Sequence, residues 1–229
     1  MGSAKGSTGP AYRAGETVPY TGLVPIARHA SALHLVRHGE VDNPGHLVYA
    51  SLPGFGLSEL GWRQVEAAAD HLAGLDVTAV VSSPLQRAVE TAAAIAAVHR
   101  IAVTTDPRLR EWELGNRWAG RPWDALDSAF PGELDAYLAD PADLPFAPES
   151  LADVAVRVAA AAEQAWDTRR RPGHVVLVGH QDPMEAGRRR LCGRGLQRFH
   201  DAKPGHAAVV SLVPTGVGWD EADVWAPRL

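Results

Sequence analysis

Two histidines and two arginines stand where apolar runs of the sequence pass into polar segments. Arg37 and His38 follow one such run, Arg87 follows a second, and His180 follows a third. A planar guanidinium matches a phosphoryl group bidentately, and two of them can neutralise it without a metal ion. A neutral imidazole can attack phosphorus and form a covalent intermediate. Each residue alone has an ordinary structural explanation, but the set of four points to phosphoryl transfer.

Such a transfer also needs an acid, because a leaving alkoxide must take up a proton. The tryptophan-rich segment that begins at residue 107 offers two carboxyls, Glu111 and Glu113. A carboxyl near a phosphate dianion has a raised pKa, which suits it to donate a proton near neutral pH. His34 and His38 share an H-x-x-x-H spacing, but on a strand this does not present two rings as a helix would. No metal site and no cofactor are therefore predicted.

The elements that must position these residues alternate between strands and helices. Strands are predicted at 33–36, 77–82, 101–105, 175–178 and 207–213, with a last one around 217–224. Helices are predicted after Ser58, after Ser83-Pro84 to about residue 99, after Ser150 in capping-box spacing, and after Asp182-Pro183. This order predicts an α/β fold, a three-layer α/β/α sandwich with a mostly parallel central sheet. The carboxyl ends of its strands would bring the four residues to one crevice.

The domain organisation follows from the same pattern. Residues 1–30 are predicted to be a flexible tail and an extended lead-in, and residues 31–229 a single domain. Residues 107–149 are proline-punctuated and rich in tryptophan, with a modest helix near 122–138. This segment is interpreted as a cap inserted into the domain.

Composition excludes several classes of protein. The chain has 229 residues and a formal net charge of −5, which disfavours nucleic-acid binding. It has no apolar stretch long enough for a membrane span or a signal peptide. Its single cysteine, Cys192, cannot form an internal disulfide, so a reducing, cytoplasmic location is expected. Of the 22 basic residues only Lys5 and Lys203 are lysines, a bias best explained by overall composition.

Five segments of the chain resemble a known family. Residues 35–40, Leu-Val-Arg-His-Gly-Glu, are similar to the Arg-His-Gly motif of the histidine phosphatase superfamily, the phosphoglycerate-mutase-like proteins. Residues 57–64, 82–92, 109–115 and 178–180 resemble four further segments of that family in the same order. The resemblance implies a phosphoglycerate-mutase-like fold.

The resemblance also implies a role for each residue of the set. His38 corresponds to the phosphorylated nucleophile, and Arg37 and Arg87 to the clamp on the phosphate. His180 corresponds to the second histidine of the pocket. Glu111, two residues after Leu109, takes the position of the proton donor in preference to Glu113.

Some positions depart from the family pattern. Many members have asparagine six residues after the nucleophile, whereas here Pro44 stands there and Asn43 one residue earlier. Gln181 replaces the usual glycine after the second histidine, and Ala119 replaces a glutamate. Mutases usually carry Arg-His after the acid, where this chain has Trp112 and Glu113, an apolar group and a negative charge. Hydrolysis is therefore favoured, with Asn43, Trp112 and Gln181 as the expected substrate-binding residues.

The sequence thus predicts a metal-independent phosphomonoester hydrolase acting through a phosphohistidine on a small phosphorylated metabolite. A phosphoglycerate mutase is the alternative enzyme, and a non-catalytic phospholigand-binding module on the same fold is the alternative class. No nucleic acid or membrane partner is expected, and the sequence does not specify an oligomeric state. An apolar wall on the cap is suggested by its aromatic residues, Trp112, Trp118, Trp123, Phe130 and Tyr137.

Overall fold

A six-stranded sheet organises the computed structural model, which describes residues 31–229. The prediction of a flexible tail and lead-in for residues 1–30 lies outside these residues. The strands, in chain order, are β1 (Leu33–Arg37), β2 (Val77–Ser82), β3 (Val103–Thr105), β4 (His174–Gly179), β5 (Val209–Pro214) and β6 (Trp219–Trp225). Their order across the sheet is β3-β2-β4-β1-β5-β6.

The sheet is mostly parallel, as predicted. Strand β4 pairs in parallel with both β1 and β2, and β2 pairs in parallel with β3. Strand β5 is antiparallel to β1, and β6 is antiparallel to β5. Because β1 and β4 lie side by side in the middle of the sheet, their carboxyl ends meet at its centre.

Within residues 31–229, seven α-helices accompany the sheet: α1 (Glu59–Leu72), α2 (Gln86–His99), α3 (Glu113–Trp118), α4 (Leu126–Ala129), α5 (Glu133–Ala139), α6 (Leu151–Asp167) and α7 (Gln181–Leu191). Short 3-10 turns cover Pro107–Leu109, Trp123–Ala125 and Phe199–Ala202. No helix within residues 31–229 is long and apolar enough to cross a membrane.

Two apolar cores, one on each side of the sheet, make the fold a three-layer α/β/α sandwich. Leu35 of β1 and Leu177 of β4 pack in the core with α6 and α7. Val36 and Val176, the alternate residues of the same strands, pack in the other core with α1 and α2. This alternation follows from the two-residue period of a strand, so strands buried on both faces read as continuous apolar runs.

Two of the predicted helix starts are confirmed. Ser58 caps α1, where its hydroxyl accepts from the Gly61 N–H at 2.9 Å. Ser150 caps α6 and accepts from the Asp153 N–H at 3.1 Å, and its own hydroxyl donates to the Asp153 carboxylate at 2.7 Å. In both cases a local side-chain bond satisfies a backbone donor of the first turn.

Two other predicted helix starts were wrong. Helix α2 begins at Gln86 with Leu85 at its N-cap position, and the Ser83 hydroxyl bonds a histidine ring elsewhere in the chain. Helix α7 begins at Gln181 directly after β4, so His180 and not Asp182 occupies its N-cap position. Strand β3 is also shorter than predicted and begins at Val103.

The segment 107–149 forms short helical pieces instead of one modest helix. The helix predicted near 122–138 is divided into a 3-10 turn, α4 and α5, because Phe130, Pro131 and Gly132 interrupt it. Gly132 has a φ of 77°, in the left-handed region that only glycine adopts freely. Trp112, Trp118 and Tyr137 from this segment are buried in the core that contains α6.

Candidate active site

The carboxyl ends of β1 and β4 bring His38 and His180 together at one edge of the sheet. The two imidazole rings lie 5.2 Å apart between centroids, and both side chains are buried. The backbone N–H of His38 donates to the Gly179 carbonyl at 3.0 Å, which ties the two strand ends together. Two histidines far apart in sequence therefore lie close together because β1 and β4 pair in parallel.

Hydrogen bonds fix the tautomer of His38. Its Nδ1 lies 2.7 Å from the Gly39 carbonyl oxygen, which can only accept, so Nδ1 carries the proton. Its Nε2 then carries a lone pair and accepts from Nε of Arg87 at 3.2 Å. Burial, together with the charges of Arg87, His180 and Arg37, holds the pKa of His38 well below its usual value. The ring is thus neutral with Nε2 available as a nucleophile.

Arg87 lies at the centre of the site in the first turn of α2. Its Nη2 donates to the Ala50 carbonyl at 2.7 Å and to Nδ1 of His180 at 3.1 Å. Its guanidinium also stacks over the ring of Tyr49, 4.7 Å from the centroid. These contacts hold a buried cation against both histidines.

His180 is oriented by two partners. Since Arg87 can only donate, Nδ1 of His180 accepts, and Nε2 donates to the Ser83 hydroxyl at 2.8 Å. Burial and the Arg87 charge hold the pKa of His180 well below its usual value. Its ring is neutral in this arrangement, and a bound dianion would favour the protonated form.

Arg37 approaches the site from the end of β1 and is held by the loop before β5. Its Nη1 donates to the Pro204 carbonyl at 3.1 Å and its Nη2 to Nε2 of His206 at 2.7 Å. Burial and the charge of Arg37 lower the pKa of His206 to about 3, so this ring is neutral and can accept. The His206 ring itself lies 5.8 Å from that of His38.

Glu111 reaches the same pocket from the opposite side. One of its carboxyl oxygens accepts from the Trp112 N–H at 2.8 Å, and the other lies 4.0 Å from Nδ1 of His180. Burial and the negative charge of Asp182 raise the pKa of Glu111. The structure therefore brings together all five predicted catalytic residues, Arg37, His38, Arg87, Glu111 and His180.

The three expected substrate-binding residues are placed differently from one another. Gln181 lines the pocket, and its amide donates to the Pro204 carbonyl at 3.2 Å. Trp112 contributes to the wall but is almost wholly buried, and its indole N–H donates to the Glu149 carbonyl. Asn43 is outside the lining, and its amide makes two bonds to the backbone of Leu47 that close a surface turn.

Sequence reasoning did not single out several residues of the site. Tyr49, Ser83, Asp182 and His206 contact the predicted residues or line the pocket, and Lys203 pairs with Asp182. Tyr49, Lys203 and His206 lie in loops where residue type alone carries no signal. Ser83 and Asp182 were predicted to be helix caps, and their contacts with His180 and Lys203 were not predicted.

The pocket is a cavity of about 220 Å³. Its wall is formed by His38, charged and polar groups and several apolar or aromatic side chains, among them Leu47, Val48, Leu114, Trp118, Trp123 and Tyr137. Within residues 31–229, no group of three or more His, Cys, Asp and Glu is arranged to hold a metal ion.

The fold and this arrangement of histidines and arginines define a histidine phosphatase. Residues 33–225 match the family model of the histidine phosphatase superfamily, branch 1, and the chain belongs to that superfamily. Its predicted fold class and its phosphatase class are thereby confirmed.

Particular relatives are found among mycobacterial proteins. The chain is 43% identical over 184 residues to an uncharacterized protein of Mycobacterium tuberculosis, covering 79% of this chain and 87% of that protein. It is 38% identical over 159 residues to the glucosyl-3-phosphoglycerate phosphatase of the same species, covering 66% of this chain and 70% of the relative.

Solved structures agree with these relatives. A mycobacterial hydrolase superposes with a TM-score of 0.75 at 30% identity, covering 86% of this chain and 99% of the other. The mycobacterial glucosyl-3-phosphoglycerate phosphatase in complex with VO3 superposes with a TM-score of 0.71 at 32% identity, with the same coverage.

Proposed function

We propose that the chain is a metal-independent phosphomonoesterase that acts through a phosphohistidine at Nε2 of His38. The observation that carries this proposal is the neutral His38 ring, whose Nδ1 proton is bound by Gly39 and whose Nε2 lone pair faces Arg87. A phosphoryl group that enters the pocket takes over the Arg87 hydrogen bond and leaves the lone pair free to attack. Arg37 and Arg87 then supply the positive charge that a metal ion supplies elsewhere.

The reaction proceeds in two balanced steps. In the first, Nε2 of His38 forms a bond to phosphorus while the bond to the leaving oxygen breaks, and that oxygen takes the proton of Glu111. In the second, the Glu111 carboxylate removes a proton from water, the water oxygen bonds to phosphorus, and the nitrogen–phosphorus bond breaks. When the dianion binds, Nδ1 of His180 takes a proton from solvent in place of its contact with Arg87 and donates to a non-bridging oxygen. The raised pKa of Glu111 suits it to hold a proton for the first step.

Hydrolysis is preferred to mutase chemistry because of the charges around the leaving group. A mutase must retain a second phosphate, which requires cations away from the transferred group. Among the described residues, Arg37 is the one cation that lines the pocket, and it belongs to the phosphoryl end. Glu113, where mutases usually carry a base, instead accepts from the Asn116 amide at 2.6 Å.

The proposed partner is a small phosphorylated compound, with no nucleic acid and no membrane. The acidic net charge and the size of the pocket support this. A cytoplasmic location is supported by the single cysteine, which leaves the chain without an internal disulfide.

Rapid quench with ³²P-labelled substrate tests the proposal. Acid-labile, alkali-stable label should appear on the wild type and on a His99→Ala control, and be absent from His38→Ala along with almost all turnover. EDTA should leave turnover unchanged. Full turnover without trapped label, or turnover abolished by EDTA, would overturn the mechanism. Interconversion of 2- and 3-phosphoglycerate faster than phosphate release would identify a mutase, and binding without turnover over a broad panel would identify a binding module.

A further inference from the structure

The pocket has two chemically different ends. His38 and Arg37 receive the phosphoryl group in the proposed mechanism, so the apolar side chains that share the lining, Trp118, Trp123 and Leu47, remain for the leaving group. Since the cavity measures about 220 Å³, it holds a phosphoryl group and a leaving group of limited size. The residues at the second end therefore select the alcohol that departs.

Among residues 31–229, no cation besides Arg37 lines the pocket to meet an anionic leaving group. Lys203 is nearby, but its ammonium is 2.7 Å from one oxygen of Asp182 and 2.7 Å from the Tyr137 hydroxyl. That hydroxyl donates to the other Asp182 oxygen at 2.8 Å, which closes a three-membered cluster. The Lys203 side chain is only 7% exposed, and its charge is balanced by that of Asp182.

Away from the phosphoryl end, the described charged residues that line the pocket offer no counter-charge to a negative substituent, because Asp182 is already paired with Lys203. Of the charged residues within 31–229 that line the pocket, two of three are acidic, Glu111 and Asp182. An anion on the leaving group would be buried beside Asp182 without a counter-charge, which costs binding free energy. A neutral leaving group avoids this cost.

An exposed indole provides the apolar contact for such a leaving group. Trp123 lines the pocket and is 42% exposed, so it stands at the mouth rather than in the core. Its backbone N–H donates to the His46 carbonyl at 2.9 Å, and Pro122 bridges to Leu47. The indole is thus presented by a loop that is fixed to the pocket wall.

We propose that the leaving group is an uncharged alcohol or phenol with an apolar ring, packed against Trp123 and discriminated from anionic alcohols by Asp182. The proposal rests on the phosphatase function proposed above and names its substrate class. It distinguishes this chain from a phosphatase whose substrates carry a carboxylate on the leaving group.

A pair of size-matched substrates tests the charge preference. 4-Carbamoylbenzyl phosphate and 4-carboxybenzyl phosphate differ in one charge, and that charge lies far from the leaving oxygen. We expect kcat/KM of the wild type to favour the neutral compound by at least about tenfold. In Asp182→Asn the carboxylate is lost and Lys203 is released, so the ratio should fall toward one.

A tryptophan pair tests the apolar contact. Trp123→Ala should lower kcat/KM for benzyl phosphate about fivefold through KM, because apolar area stays in water. Trp62→Ala, on α1 and 40% exposed, should not change it. Equal effects of the two variants would refute the role of Trp123.

The failures of the two proposals are distinguishable. A ratio near one or favouring the carboxylate, with phosphohistidine still trapped, would overturn the substrate class and leave the phosphatase proposal intact. An absence of both trapping and turnover with all three phosphates and with a broad phosphomonoester panel would overturn both. An unchanged ratio in Asp182→Asn would refute discrimination by that residue.

Discussion

The replacement Glu111→Gln isolates the proton donor of the proposed mechanism. The amide keeps the size of the side chain, and its oxygen can still accept from the Trp112 N–H. The other oxygen, 4.0 Å from His180 Nδ1, has no hydrogen bond that the replacement would break. The substitution thus removes an exchangeable proton and little else.

The expected loss depends on the leaving group. General acid catalysis contributes about 10²–10⁴-fold, so for benzyl phosphate we expect kcat to fall about 10³-fold, or about 4 kcal/mol in the barrier. 4-Nitrophenolate is a weak base that departs without a proton. For 4-nitrophenyl phosphate the first step should therefore slow by less than about tenfold.

Single-turnover release of the two alcohols is the assay, because it reports the first step alone. Glu113→Gln is the matched control, two residues further on and bonded to Asn116, and it should release both alcohols at the wild-type rate. Because the pKa of Glu111 is raised, wild-type activity should fall as pH rises through that pKa. This fall with rising pH should be absent in Glu111→Gln.

Two results would refute this reasoning. Equal losses for the two leaving groups would mean that Glu111 positions the substrate instead of donating a proton. A loss in Glu113→Gln that depends on the leaving group would transfer the role to Glu113.

Three further predictions concern packing, charge and orientation. Gly61→Ala should lower the free energy of unfolding by about 2 kcal/mol or more in urea melts, since its Cβ would lie 2.0 Å from a backbone carbonyl oxygen. Gly74→Ala, with no atom within 4 Å of its Cβ, should lie within about 0.5 kcal/mol of the wild type. Burial lowers the pKa of His34 to about 3, so the unfolded chain binds a proton first. The contribution of neutral His34 to the free energy of unfolding should be complete above about pH 6.5 and fall by about 2 kcal/mol on acidification to pH 4.5. An unchanged urea midpoint would contradict this. Ser83→Ala should lower kcat about tenfold without moving Tm by more than a few degrees, because it releases the His180 ring; an unchanged kcat would remove Ser83 from the site.

The predictions that succeeded depend on local chemistry. The bounds of β2 match the sequence prediction, and the Ser58 and Ser150 caps act through bonds three residues away. The strand ends also placed His38 and His180 correctly, since parallel strands share one edge. The caps are specified within three residues of where they act, and the strand ends are specified by where each apolar run stops.

The features that were missed depend on distant partners. Ser83 has a good capping sequence, yet its hydroxyl bonds His180, far along the chain. Asn43 is the exception, because it was expected in the pocket and its amide is taken by a local bond to Leu47 within its own turn. Lys203 and His206 act only because the loop before β5 returns to β1. No local pattern records these contacts.

The position of strand β5 affects the order in which the site can form during protein synthesis. It is antiparallel to β1, so its amino end meets the carboxyl end of β1, where Ala208 accepts from Arg37 and Ala207 donates to His38 through the backbone. A chain is synthesised from its amino terminus, and this pairing joins residues from opposite ends of the domain. If Arg37 binds phosphate as proposed, the nascent polypeptide cannot hold its guanidinium in place until residue 206 and β5 have left the ribosome. We therefore expect hydrolytic activity only after β5 has been synthesised.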